Sequence, residues 1–122
     1  MPAAERVIAR LTEAWQRGDR LQGWQLDQVA REHIAAAGYG DHFVHQTGHS
    51  LAPGGRLYGW GVNLDDLQTH DTRAILPRTG FSIEPGIYLP AFGVRSEVNV
   101  FVDPLAGPRV TTPIQREVVL LA

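Results

Sequence analysis

The chain has 122 residues, no cysteine and a formal net charge of -2 at pH 7. That length suits one domain, residues 1–122, with a core large enough to fold without disulfides or a metal, and the missing thiols exclude disulfides, zinc fingers and cysteine catalysis. All 11 basic side chains are Arg, scattered along the sequence, so nothing points to nucleic acid or an acidic membrane, and no apolar run approaches the roughly 18–20 residues of a membrane span. Met1-Pro2-Ala3-Ala4-Glu5 carries no basic-then-apolar leader pattern, so a soluble, cytoplasmic domain is expected.

In chain order, the spacing predicts a first helix over 3–16, with Val7, Ile8, Leu11, Ala14 and Trp15 on its apolar side. Gly18 reads as its stop and 18–23 as a connector. A second helix is predicted over 26–37, burying Leu26, Val29, Ala30, Ile34 and Ala37 and ended by Gly38. After Gly40 the grammar changes to short apolar runs between Gly and Pro, which is strand and turn. The predicted strands cover 42–45, 81–84, 86–89, 94–102, 109–112 and 118–121. The stretch 51–77 has weak periodicity, and a loop of that length inside a compact domain is usually functional. Helices first and strands afterwards predict an α+β fold: two N-terminal helices packed on a curved, mainly antiparallel sheet. The expected core is Val7, Leu11, Leu26, Val29, Ile34, Phe43, Ile83, Ile87, Val94, Val98, Val100 and Val119.

Three segments carry candidate chemistry. In His42-Phe43-Val44-His45-Gln46-Thr47-Gly48-His49-Ser50, imidazoles at 45 and 49 stand either side of a glycine that permits close backbone approach. In Phe81-Ser82-Ile83-Glu84-Pro85-Gly86-Ile87-Tyr88 a carboxylate ends an apolar strand at a Pro-Gly turn. In Phe92-Gly93-Val94-Arg95-Ser96-Glu97-Val98-Asn99-Val100 an acid interrupts an alternating apolar strand. An acid in such a strand is costly to bury without a cation, a hydrogen-bond network or a metal. A His with two such acids suits manganese, cobalt, zinc or iron better than calcium. Each residue also has a plainer reading: His45 or His49 as a hydrogen-bonded structural histidine, Glu84 as a turn cap, Glu97 as the partner of Arg95. His33 and His70 read as a helix-face and a loop histidine, and Asp65, Asp66 and Asp71 as solvated loop acids.

Taken together and in this order, Gly38-Tyr39-Gly40, the His-x-x-x-His segment ending at His49, Ile83-Glu84-Pro85-Gly86-Ile87-Tyr88 and Phe92-Gly93-Val94-Arg95-Ser96-Glu97 resemble the M24 metallopeptidases, the pita-bread fold family. The Pro-Gly-Ile-Tyr and Gly-Val-Arg pieces look more like its aminopeptidase P/prolidase branch, with creatinase, than its methionine aminopeptidase branch. The resemblance covers nearly the whole chain and implies a truncated pita-bread fold, the C-terminal half of the catalytic domain. It further implies a di-metal centre of two Asp, one His and two Glu that activates water against a peptide bond. By resemblance His49, Glu84 and Glu97 match the His and Glu ligands. Glu84 also matches the residue that serves proton transfer, His45 a pocket-lining His, and Arg95 a residue that orders the adjacent acid.

Two departures qualify this. The family's two Asp ligands precede the helices, and this sequence offers no counterpart. Counting back from Gly59-Trp60-Gly61-Val62-Asn63 also puts Tyr58 where the family carries a second catalytic His; a phenol can donate to a developing oxyanion but shuttles protons poorly at neutral pH. The expected function is therefore an Xaa-Pro-type metallopeptidase domain, inactive or weakly active alone, with a divalent metal (manganese, cobalt or zinc) in an incomplete site and a peptide as substrate or ligand. Its missing ligands would come from a second copy in a homodimer or from a separate N-terminal half. The alternative is a non-catalytic relative that binds a metal, a peptide or a protein, and a third reading is a truncated fragment with a fold but no function of its own.

Overall fold

A computed structural model describes residues 1–54 and 56–121. Helix α1 spans Ala3–Arg17 and buries Ala4, Val7, Leu11 and Ala14, one stripe at helical spacing. Gly18 closes it in the left-handed conformation, φ 74°, with its N–H turned back onto the last carbonyls. Helix α2 spans Gly23–Ala36 and starts three residues before the predicted Leu26. The early start comes from a reciprocal cap between Gln22 and Gln25, whose side-chain oxygen accepts the Gln22 N–H at 2.8 Å. Gly23 fits inside the helix because a Cβ there would lie 2.0 Å from the Asn63 carbonyl oxygen. Leu26, Asp27, Ala30 and Ile34 face inward.

The strands are β1 (Gly80–Ile83), β2 (Gly86–Tyr88), β3 (Gly93–Arg95), β4 (Val98–Asp103) and β5 (Gly107–Val110). They form a three-stranded antiparallel sheet, ordered β1-β4-β5, and a separate antiparallel pair, β2-β3. The two helices pack on the larger sheet, so Val7, Leu11, Leu26, Ala30, Ile34, Phe43, Phe81, Ile83, Val98, Val100 and Val102 share one core. Register decides where the candidate acids stand. Ile83 faces Val98 and Gly86 faces Arg95. Glu84-Pro85 and Ser96-Glu97 therefore face each other in a lapse of the ladder, crossed by one long bond from Ser96 N–H to the Pro85 carbonyl at 3.4 Å.

Several sequence expectations are corrected. The predicted strand 42–45 is instead a 3₁₀ turn, Gly40–His42, followed by irregular chain. A single strand over 94–102 breaks at Ser96-Glu97, because β3 pairs with β2 whereas β4 pairs with β1. The predicted 109–112 strand begins two residues earlier, as β5, and 118–121 forms no strand. Val94 and Val119, expected in the core, are 60% and 75% exposed, one on the two-stranded sheet and one in the extended C-terminal segment. Val29 and Ile87 are half-buried at the core's margin. No helix among the described residues is long and apolar enough to cross a membrane.

Two of the three acids expected to be solvated in the 51–77 stretch are not. Asp65 and Asp71 are buried, 2% and 7% exposed, and both work as internal acceptors. Asp65 accepts the N–H groups of Leu67, Gln68 and Thr69 and the Thr69 hydroxyl. Asp71 accepts from the Asn63 N–H at 2.8 Å and pairs with Arg73 at 2.6 Å. Burial raises the Asp71 carboxyl, but the hydrogen bonds from Arg73 and the Asn63 and Arg73 backbone outweigh it and hold it below its ordinary 3.8. Half-buried Asp66 is likewise held low, chiefly by the hydrogen bond from His70 at 2.6 Å, against the effect of burial. A depressed carboxyl stabilises the fold above its unfolded pKa and loses that contribution as pH falls through the folded one. Asp71→Asn should therefore cost about 1–3 kcal/mol at pH 7. In urea unfolding the gap from wild type should narrow once pH drops below about 4, and a gap independent of pH would contradict the assignment.

Candidate metal centre

His49 stands on a segment stitched to β1. Its N–H donates to Ser82 Oγ at 3.0 Å, and the Ser82 N–H returns to the His49 carbonyl at 2.9 Å. Gly48 makes this approach possible, since a Cβ there would fall 1.8 Å from the Ser82 carbonyl oxygen. The His49 ring is buried, and its Nδ1 lies 2.9 Å from the Ser50 carbonyl. A carbonyl can only accept, so Nδ1 donates there and Nε2 is the ring nitrogen turned toward the acids. Nε2 faces Glu84 Oε2 at 3.5 Å.

Glu84 follows directly on β1 and is anchored by its N–H donating to the Thr47 carbonyl at 2.6 Å. Glu97 comes from the opposite side of the ladder's lapse, with Arg95 at 3.9 Å. One ligand atom from each of His49, Glu84 and Glu97 lies within 4.8 Å of the others. Burial first, then the adjacent Glu84 carboxylate, push the Glu97 carboxyl above its ordinary 4.5, against the pull of Arg95 and His49. Two carboxylates and the Nε2 of an imidazole thus converge, and the two acids repel unless a cation or a proton sits among them. The donor set, one nitrogen and carboxylate oxygens, fits a divalent first-row metal. The Nδ1–H bond to a backbone carbonyl is the usual orienting partner of a ligating histidine.

The other expected site residues fall around this cluster. The Tyr58 ring lies against His49 with centroids 4.4 Å apart, its side chain largely in solvent. His45 is engaged elsewhere: Nδ1 donates to the Gln46 carbonyl at 2.6 Å, and Nε2 accepts from the Tyr88 hydroxyl at 2.7 Å. His33 is half-buried on α2, and His70 is exposed between Asp66 and the Trp24 ring.

One residue escapes a reading of the sequence. Asp27, fully buried, accepts from Arg31, from Thr47 and from the Asp66 N–H. The signal is present, an acid inside the apolar stripe of α2 with Arg one turn on, but it reads equally as an ordinary helix-face pair.

Comparison with known proteins points in the same direction. The family model described as metallopeptidase family M24 matches residues 2–104. The peptidase YqhT of Bacillus subtilis is 33% identical over 105 residues, covering 83% of this chain and 27% of the relative. The Xaa-Pro dipeptidase of Pyrococcus furiosus is 35% identical over 88 residues, covering 71% and 24%. Among solved structures, the X-Pro aminopeptidase of Thermotoga maritima superposes with a TM-score of 0.74 at 29% identity, covering 94% of this chain and 29% of that one. The Pyrococcus horikoshii dipeptidase gives 0.70 at 32%, covering 98% and 30%. The chain therefore spans less than a third of the length of these relatives, and its helices and antiparallel strands make up part of a pita-bread fold. With the match running through most of its length, the chain belongs to metallopeptidase family M24.

Proposed function

We propose that the chain contributes the His/Glu/Glu side of a metal-dependent peptidase centre of the Xaa-Pro dipeptidase kind. The observation that carries this is the convergence of His49, Glu84 and Glu97 ligand atoms within 4.8 Å, with His49 Nε2 turned toward Glu84. A divalent metal bound there would supply Lewis-acid polarisation of a peptide carbonyl and a more acidic water.

In this reading His49 presents Nε2, and Glu84 and Glu97 supply negative charge from the two sides of the ladder's lapse. Glu84, 14% exposed in its side chain, is the carboxylate placed to carry a proton. Tyr58 offers a phenolic donor beside His49, and His45, braced by Tyr88, offers a wall for the peptide. Among the described residues the cluster holds one His and two Glu; the two Asp that the family implies would come from further polypeptide, either an N-terminal half or a second copy. The chain by itself then turns over slowly or not at all. A second reading, a relative that binds metal and peptide without turnover, is favoured by Tyr58 standing against His49 where a proton-shuttling His is implied.

The test is calorimetric titration of the metal-free chain with manganese and zinc. One ion per chain is expected, and absence of stoichiometric binding would overturn the proposal. Xaa-Pro dipeptide hydrolysis appearing only when the Asp-bearing polypeptide is added favours the first reading; metal binding with no hydrolysis in either case favours the second.

A further inference from the structure

Buried ion pairs are expensive to desolvate and add little net stability over apolar residues of the same shape, so their use lies more in fixing geometry. The Asp27–Arg31 pair on α2 is such a case. Asp27 is wholly enclosed, and Arg31 Nε reaches its Oδ2 at 2.9 Å and Nη2 its Oδ1 at 3.1 Å. Neither partner is used up by the other. Asp27 Oδ1 also accepts the Thr47 N–H at 2.9 Å and the Thr47 hydroxyl at 2.7 Å. Arg31 donates onward to the carbonyls of Phe43 at 3.0 Å and His45 at 2.8 Å, with its guanidinium 4.2 Å over the Phe43 ring.

The pair therefore grips the irregular segment 43–47 at three backbone points, the Phe43 and His45 carbonyls and the Thr47 N–H, the last shared with the Leu64 carbonyl at 3.0 Å. What hangs from that segment is the site. Two residues beyond Thr47 is His49, two before it is His45, and the Thr47 carbonyl receives the Glu84 N–H.

We propose that the Asp27–Arg31 pair is the positioning element of the metal centre: it sets the path of residues 43–49, and through it the placement of His49 Nε2 against Glu84. Its functional meaning rests on the reading of the cluster as a metal centre, but the geometry it imposes exists in the metal-free chain and is measured there. Asn is a poor replacement for Asp27. Both carboxylate oxygens accept hydrogen bonds, five in all, and an amide NH2 in place of either would face donors.

The experiment compares the wild-type chain, Asp27→Asn and Leu11→Ala, a core control on α1 away from the site. Each is titrated with cobalt(II) while the visible absorption of the bound ion is recorded. The ring signals of His45 and His49 are followed by nitrogen-15 NMR in the metal-free chains at one pH. Asp27→Asn should weaken cobalt binding by roughly 10–100-fold, as loss of an orienting partner does, alter the absorption envelope and move the His49 ring signals. Leu11→Ala should lower the melting temperature and leave all three as in wild type. Wild-type cobalt affinity, absorption and ring signals in Asp27→Asn would overturn the proposal. If wild type itself binds no cobalt, the metal reading fails, and the ring signals alone decide on positioning. Should Asp27→Asn not fold, Arg31→Lys, which keeps the charge but loses the fork that reaches both carbonyls, takes its place with the same readouts.

Discussion

Glu97→Gln is expected to do two opposite things at once: strengthen the metal-free fold and cost the chain its divalent ion. Burial first, and then the neighbouring Glu84 carboxylate, hold the Glu97 carboxyl above its ordinary value of 4.5 in the metal-free chain. A carboxyl raised in the folded state stabilises the fold below its unfolded pKa and loses that contribution as pH rises through the folded one. The glutamine variant has no such loss. Melts recorded with a chelator should show the variant's advantage growing from about pH 4 toward pH 7. The gain stays small, up to about 1 kcal/mol, because the Glu97 side chain is 43% exposed and solvent screens the repulsion. Manganese titration of the same protein should show an affinity loss larger than the roughly 10–100-fold typical of an outer-shell change. Unaltered manganese binding would remove Glu97 from the site; an advantage that does not grow with pH would contradict a Glu97 carboxyl raised by burial and Glu84.

Gly48→Ala should be among the most damaging added methyls at the described glycines. Its added carbon would lie 1.8 Å from the Ser82 carbonyl oxygen and 2.7 Å from the carbonyl carbon. Both are backbone atoms of β1 and cannot swing aside as a side chain would. Either the 47–50 segment or β1 must move. Moving them breaks the Ser82–His49 bond, the Glu84–Thr47 bond and the bridge between Ser50 and Phe81. Phe81 and Ile83, both fully buried on β1, lose their seating too. A loss of about 4 kcal/mol or more is expected, at the diagnostic end of point-mutant effects, together with loss of metal binding. Gly18→Ala is the useful contrast. It meets nothing within 4 Å but stands at φ 74°, so it should cost only about 1 kcal/mol of left-handed strain and leave metal binding intact. Chemical denaturation of both variants tests the contrast, and similar values for the two would mean that the close approach at Gly48 relaxes cheaply.

Much of this architecture is legible in the residues alone. The stripe Val7, Leu11, Ala14 has one period and one possible inside, and Gly18 can hardly be anything but a stop, so α1 follows directly. The acids Glu84 and Glu97 stand out because a charge in an apolar strand demands an explanation. Longer-range facts are less accessible. Periodicity cannot show that β3 and β4 belong to different sheets, since partner choice is decided by register across the fold; hence the exposure of Val94. The 118–121 run, Val118-Val119-Leu120-Leu121, has strand composition, yet among the described residues it lacks a neighbour to pair with and stays exposed. Asp65 and Asp71 read as solvated because loop acids normally are. Their burial depends on turns that supply several N–H donors to each carboxylate, which spacing alone does not reveal.

The lapse in the ladder at Glu84-Pro85 and Ser96-Glu97 bears on redesign. Both acids stand where the strands have let go of each other, and neither takes part in the pairing on either side. The sheets behave as a frame with an interchangeable socket between them. If the proposed centre binds a metal, His or Cys at 84 and 97 would retune it from hard toward softer cations.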